Sequence, residues 1–180
     1  MTPERACFHL RLLENGEHAL LHAEITAALH ADAPLSDLLL DLSVCRDDAE
    51  LHRVLQEYLL DNPADMNAVE AMLRREISDR FRQGRLTQAE ALALMRSAGA
   101  GTQLALDAAC AAEYADMAAD GCISEEAAVL YTDSLLEGQP APDVWALDKV
   151  IRRTKRHGEP YPGEGHPAIS PLTIRQNPLQ

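Results

Sequence analysis

His18 and His22 stand four residues apart, the interval that places two imidazoles on one face of a helix, where they can share a metal ion. A third ligand would have to be His9, Glu14 or a residue distant in sequence, and no HExxH or equivalent accompanies the pair. The alternative reading is two surface histidines. Ser97-Ala98-Gly99-Ala100-Gly101-Thr102 precedes a helical pattern and has the backbone to offer amides to a phosphate. It lacks the Lys of a P-loop and a preceding strand, so it reads as a connection between helices. Asp47/Asp48 and Glu125/Glu126 are carboxylate pairs of general-acid type. Each falls where a helix should open, and acids in a first turn answer the helix dipole. Cys7, Cys45, Cys110 and Cys122 form no CxxC pair and no zinc spacing, which reads as reduced thiols. No Ser or Cys nucleophile has a neighbouring His in sequence. The chain carries no catalytic constellation, and no cofactor is expected.

The elements that would position these residues are helical. Apolar residues make up 47% and aromatics only 4%, so Ala and Leu carry the apolar content, and both favour helix over strand. Thr2-Pro3-Glu4 reads as N-cap, first-turn proline and first-turn acid. Phe8, Leu10 and Leu12 alternate with polar residues before Asn15-Gly16, which also suits a hairpin strand. The helical spacing of Leu21, Ile25, Ala28 and Leu29 favours two helices joined at a Gly C-cap. Ser36 should cap a short helix over 37–44, and Asp47 another ending at Asn62-Pro63, with Leu51, Val54, Leu55, Tyr58 and Leu59 inside. Met66, Val69, Leu73 and Ile77 line the next, which runs to Gly84. Thr87-Gln-Ala-Glu90 is a capping box. Thr102 should cap a helix to Ala119, in which eight of fifteen residues from Ala105 are alanine. That helix reads as a central one, approached closely by neighbours. Ser124 and Asp143 should cap the last two, the final one facing inward through Val144, Leu147, Val150 and Ile151. The expected fold is therefore all-α, about eight or nine helices bundled as antiparallel hairpins. Residues 1–157 form the body, with sub-lobes at 1–62 and 63–157. Residues 158–180, with five prolines, form an extended tail.

Two segments match at an offset of 37 residues. Asp79, Gly84, Leu86 and Thr87 correspond to Asp116, Gly121, Ile123 and Ser124, each a helix, a Gly turn, an apolar residue, a hydroxyl cap and another helix. The pattern resembles the EF-hand family, whose loop wants an acid first, Gly sixth, an apolar residue eighth and Glu twelfth. Asp79, Gly84, Leu86 and Glu90 meet those positions in segment 79–90. Asp116, Asp120, Gly121 and Ile123 fit in segment 116–127. Phe81, Gln83, Ala118 and Ala127 replace expected oxygen ligands, and Glu126 comes one place early. What the resemblance implies is a degenerate pair that would not hold calcium at cytosolic concentrations. A helix–Gly–cap–helix joint used twice explains the same residues.

Charge narrows the function. The net charge is −13 and uneven: residues 1–147 hold 26 acidic and 10 basic side chains, residues 148–180 only 3 against 6. An acidic body repels nucleic acid and attracts basic proteins. Lys149, Arg152, Arg153, Lys155 and Arg156 gather near the end of the last helix, where they complement its dipole. No apolar run approaches a membrane span, and no secretion signal is visible. The expectation is a cytoplasmic bacterial interaction protein, not an enzyme. It would be an immunity or inhibitor protein, or a chaperone, for a basic partner such as a toxin or secreted effector. Three alternatives stand beside it: an EF-hand-like regulator, an all-α metal-dependent enzyme and a nucleic-acid mimic. Neither the partner's identity nor the oligomeric state is legible at this level.

Overall fold

The computed structural model describes residues 1–31 and 34–157. The Pro-rich tail expected over 158–180 lies outside the described residues. Within them the protein is all-α, with nine helices and no strand: α1 (Pro3–Leu13), α2 (Ala19–His30), α3 (Asp37–Ser43), α4 (Asp48–Asp61), α5 (Met66–Arg82), α6 (Gln88–Ala98), α7 (Gln103–Ala119), α8 (Glu125–Leu136) and α9 (Val144–His157).

The ends of these helices follow from local chemistry. Thr2 accepts the Arg5 amide at the start of α1, and Ser36 accepts that of Leu39 at the start of α3. Asp47 accepts the Glu50 amide, and Asp143 accepts those of Trp145 and Ala146. At α6 the capping box closes both ways. The Thr87 amide donates to Glu90 at 2.8 Å, and the Glu90 amide to the Thr87 hydroxyl at 3.3 Å.

The repeated joint is a Schellman turn. After α5, the Gly84 amide bonds Phe81 O and the Arg85 amide bonds Arg80 O; after α7, Gly121 bonds Ala118 O and Cys122 bonds Met117 O. Both glycines have φ near +70°, a region closed to most side chains, which is why Gly recurs at that register. The same pair of bonds ends α1 at Asn15-Gly16, so the strand reading of residues 1–16 gives way to a helix. The alternation of Phe8, Leu10 and Leu12 has another cause. α1 is buried around most of its circumference, from Ala6 through Leu10 and again at Leu12 and Leu13.

The chain divides into two compact units. One comprises residues 1–76 with 94–105, the other residues 77–93 with 106 onward. In the first, Ala6, Leu10 and Leu13 of α1 share a core with Leu21 and Ile25 of α2, Leu38 and Leu42 of α3, and Leu51 and Leu55 of α4. Each fully buried leucine of this kind contributes about 1.5–3 kcal/mol. In the second, α8 packs on α9, and the buried residues include Ile123, Ala127, Tyr131, Leu135, Val144, Leu147 and Ile151.

Two local expectations are corrected. α7 is not enclosed on all sides: Leu104, Asp107, Ala108 and Ala111 form a buried stripe, whereas Ala109, Ala112, Ala115 and Ala119 are exposed. Alanine holds a helix through backbone propensity alone and gains little from burial, so its density does not mark a central position. Ser124 is the N-cap of α8 as expected, but its side chain makes no cap bond, and its hydroxyl is buried without a partner. The Thr102 hydroxyl, just before α7, donates back to Gly99 O.

Candidate functional site

The first unit carries a groove of about 670 Å³ between α3 and α4. Two helical stripes build it. Asp37, Leu38, Asp41, Val44 and Cys45 come from α3 and the residues just after it. Glu50, Arg53, Val54, Glu57, Tyr58 and Asp61 come from α4. The α4 positions recur every three or four residues, so they occupy one face along about 16 Å, roughly three turns. The adjoining flank of α4, at Leu51 and Leu55, is spent on the core, against which Val54 and Tyr58 also pack. The groove therefore sets an apolar floor of Leu38, Val54 and Tyr58, the first buried in the core and the others partly buried against it, among five carboxylates. Among the described residues Arg53 is its one cation, and both Glu57 oxygens accept from its guanidinium at 3.0 Å. No described Lys or Arg pairs with Asp37, Asp41 or Asp61. Val44 is 75% exposed, unusual for a β-branched apolar side chain beside such a floor. Burial and the neighbouring Glu50 push the Cys45 thiol up, which keeps it protonated and unreactive at neutral pH.

Sequence spacing contained part of this. Asp37/Asp41 and Glu57/Asp61 are acids four apart, legible as a charged helical face. What was not legible is that the two acidic faces converge around partly exposed apolar residues, because that depends on how α3 folds back onto α4.

The histidine pair is brought to a carboxylate. His18 Nδ1 is 3.4 Å from Asp48 Oδ2, His22 Nε2 is 3.8 Å from Asp48 Oδ1, and the two rings meet edge to face at 5.6 Å. All three side chains are about half exposed. The other ligands considered are engaged elsewhere: Glu14 faces His52 at 3.3 Å, and His9 bonds Glu24. Among the described residues, no three His, Cys, Asp or Glu side chains are arranged to hold a metal ion.

The loop acids also have local duties. Asp79 pairs with Arg82, and Glu90 serves the capping box, whose bonds from the Thr87 amide and hydroxyl hold its carboxyl below the usual range. Asp116 and Asp120 are exposed on either side of the end of α7. Ile123 is buried, and Leu86 at the matching position is half-buried. In the Gly-rich connection, the Gln103 amide that opens α7 donates to Glu70 Oε2 at 3.0 Å. The protein's own carboxylate thus takes the place where a phosphate oxygen would have been received.

Two buried polar clusters were not anticipated. His9, 1% exposed, approaches Glu24 Oε2 through Nε2 at 2.7 Å, and Arg5 Nε donates to the same oxygen at 2.7 Å. Burial pushes the imidazole below its ordinary value and outweighs the pull of Glu24, so His9 is neutral with its proton on Nε2. Burial raises the Glu24 carboxyl, but the bonds from His9 and Arg5 prevail and hold it low. The second cluster lies between α8 and α9. Asp148 accepts the Ser124 amide at 2.6 Å and pairs with Arg152 at 2.8 Å, while Arg152 also donates to Gly121 O and Cys122 O. Partial burial opposes ionisation of Asp148, yet the Arg152 and Ser124 bonds win and its carboxyl is held below its usual range. Within the basic patch, Arg152 and Lys155 are thus paired, the latter with Glu126.

A smaller groove of about 470 Å³ runs along α7 and α8. Ala115, Ala118, Ala119, Ala128 and Val129 line it, and Glu125 and Asp133 stand at its edge. Partial desolvation raises the Asp133 carboxyl, although the residue remains largely exposed to water. No helix among the described residues is long and apolar enough to cross a membrane. Comparison of the chain with family models, curated proteins and solved structures finds no match.

Proposed function

We propose that this chain is a non-enzymatic binding protein that captures a basic partner protein. It would act as an immunity or inhibitor protein does, or as a chaperone for a secreted effector. The observation that carries the reading is the mixture of exposed apolar side chains and surplus carboxylates on the first unit. Of eight large hydrophobics left in water among the described residues, four fall between positions 29 and 60: Leu29, Leu40, Val44 and Leu60. Scattered exposed leucines need no explanation, but Asp37 and Asp41 lie within this stretch and Asp61 just after it, with no described cation paired to them.

The physical division of labour follows. Uncompensated negative charge steers a cationic surface into contact and sets the association rate, while buried apolar anchors set how long the complex lasts. The test is capture on the immobilised full-length protein from extracts of cells that express it, with kinetics measured on the purified partner. The expected partner is basic, and its association should slow several-fold as ionic strength rises while dissociation changes little. Retention of no protein, or an association rate indifferent to salt, would overturn the proposal.

A further inference from the structure

We infer that the α3–α4 groove is the docking site for a cationic amphipathic helix of the partner protein. This rests on the proposal above that the partner is basic, and adds where it binds and in what conformation.

The geometry of the groove argues for a helix. Its floor and rim are both laid out at helical spacing over about three turns of α4, the length over which a docked helix presents anchors at i, i+3 or i+4, and i+7. Val44 is exposed to such anchors, and Val54 and Tyr58, partly buried against the core, offer the rest of their surface. The rim supplies carboxylates in two rows, Asp37 and Asp41 on one side and Glu50, Glu57 and Asp61 on the other. Acids one helical turn apart match Lys or Arg one turn apart on an incoming helix. Charge also decides against an acidic occupant. Among the described residues five carboxylates and one guanidinium line the groove, and that guanidinium is already bound to Glu57. An anionic segment would meet like charges with nothing to offset them.

The experiment uses a fluorescein-labelled helical peptide of about 14 residues, with Leu at every third or fourth position and Arg between. Anisotropy is read on the full chain at low and moderate salt, and the control peptide carries Glu in place of Arg. The arginine peptide should bind, weaken with salt and leave the glutamate peptide unbound. Asp41→Asn with Asp61→Asn should weaken binding roughly five- to tenfold and flatten the salt dependence. Val44→Asn should weaken it by a similar factor without changing the salt slope. As the control, Glu113→Gln with Asp116→Asn neutralises two exposed acids of α7 in the other unit and should change affinity less than twofold. If only that control pair weakens binding, the groove assignment fails while the basic-partner reading stands. If the glutamate peptide binds as tightly as the arginine one, both fail. Sedimentation of the free chain gives the remaining outcome. A dimer dissolved by Val44→Asn would make a second copy the occupant and overturn the assignment.

Discussion

His9 shows how a single side chain couples a helix joint to pH. The ring is enclosed on α1 and reaches Glu24 of α2, and burial holds its pKa below the ordinary value of about 6.5. A group whose folded pKa is depressed binds fewer protons folded than unfolded, so stability falls as pH drops below that ordinary value. Glu24 continues the trend at lower pH. Its carboxyl is also held low when folded, and its contribution disappears as it is protonated. His9→Gln keeps a donor that can reach Glu24 but cannot titrate. The variant should cost about 1–2 kcal/mol at neutral pH and should lose stability less steeply than the wild type between about pH 6.5 and 5. Urea denaturation of both proteins across that interval measures the difference. Parallel curves would show that His9 does not titrate between the folded and unfolded states.

At the scale of elements, connections carry much of the specification, and they do so by different means. Gly16, Gly84 and Gly121 are needed for a left-handed backbone and face open space, where an added methyl would touch nothing within 4 Å. Gly99, between α6 and α7, is different. A Cβ there would stand 2.4 Å from the Met95 carbonyl oxygen and 3.2 Å from the Ala105 amide, both backbone atoms that cannot swing aside. Gly99→Ala should therefore cost about 2–3 kcal/mol or more, and Gly16→Ala only about 1. Thermal or denaturant midpoints give the order of the two costs, and a reversal would contradict the packing at the α6–α7 turn. The α8–α9 pair uses a third means. Asp148 and Arg152 reach from α9 to the backbone that opens α8, where they satisfy the Ser124 amide and the Gly121 and Cys122 carbonyls.

Over the whole molecule, titrating groups bound a range of pH in which the protein is most stable. On the acid side, His9, Glu24, Glu126 and Asp148 are all held low and withdraw their contributions in turn as pH falls. On the alkaline side, burial raises the Cys7 thiol above its ordinary 9.0 and the Tyr114 phenol above its ordinary 10.0. In the unfolded chain these groups ionise sooner, so stability declines as pH passes their ordinary values. The expected profile is a plateau from about pH 6.5 to 9 with losses on both sides. Denaturation free energies across pH 5 to 10 would check it, and stability still rising above about pH 9 would contradict it.

The helices and most of their ends were determined by sequence, because their causes lie within a few residues. Thr2, Ser36, Asp47, Thr87 with Glu90, and Asp143 act on amides two or three positions away, and the glycine turns close on the last turn of their own helices. Bonds that reach a helix end from a distance left no such local signal. Glu70 takes the Gln103 amide from 33 positions away, and Asp148 takes the Ser124 amide from 24. Tertiary structure likewise decided which alanines of α7 face water, that His9 meets Glu24, and that two acidic faces enclose an apolar floor. Such outcomes depend on which helix packs against which, and residues far apart in the chain carry no local signal of the neighbour they will acquire.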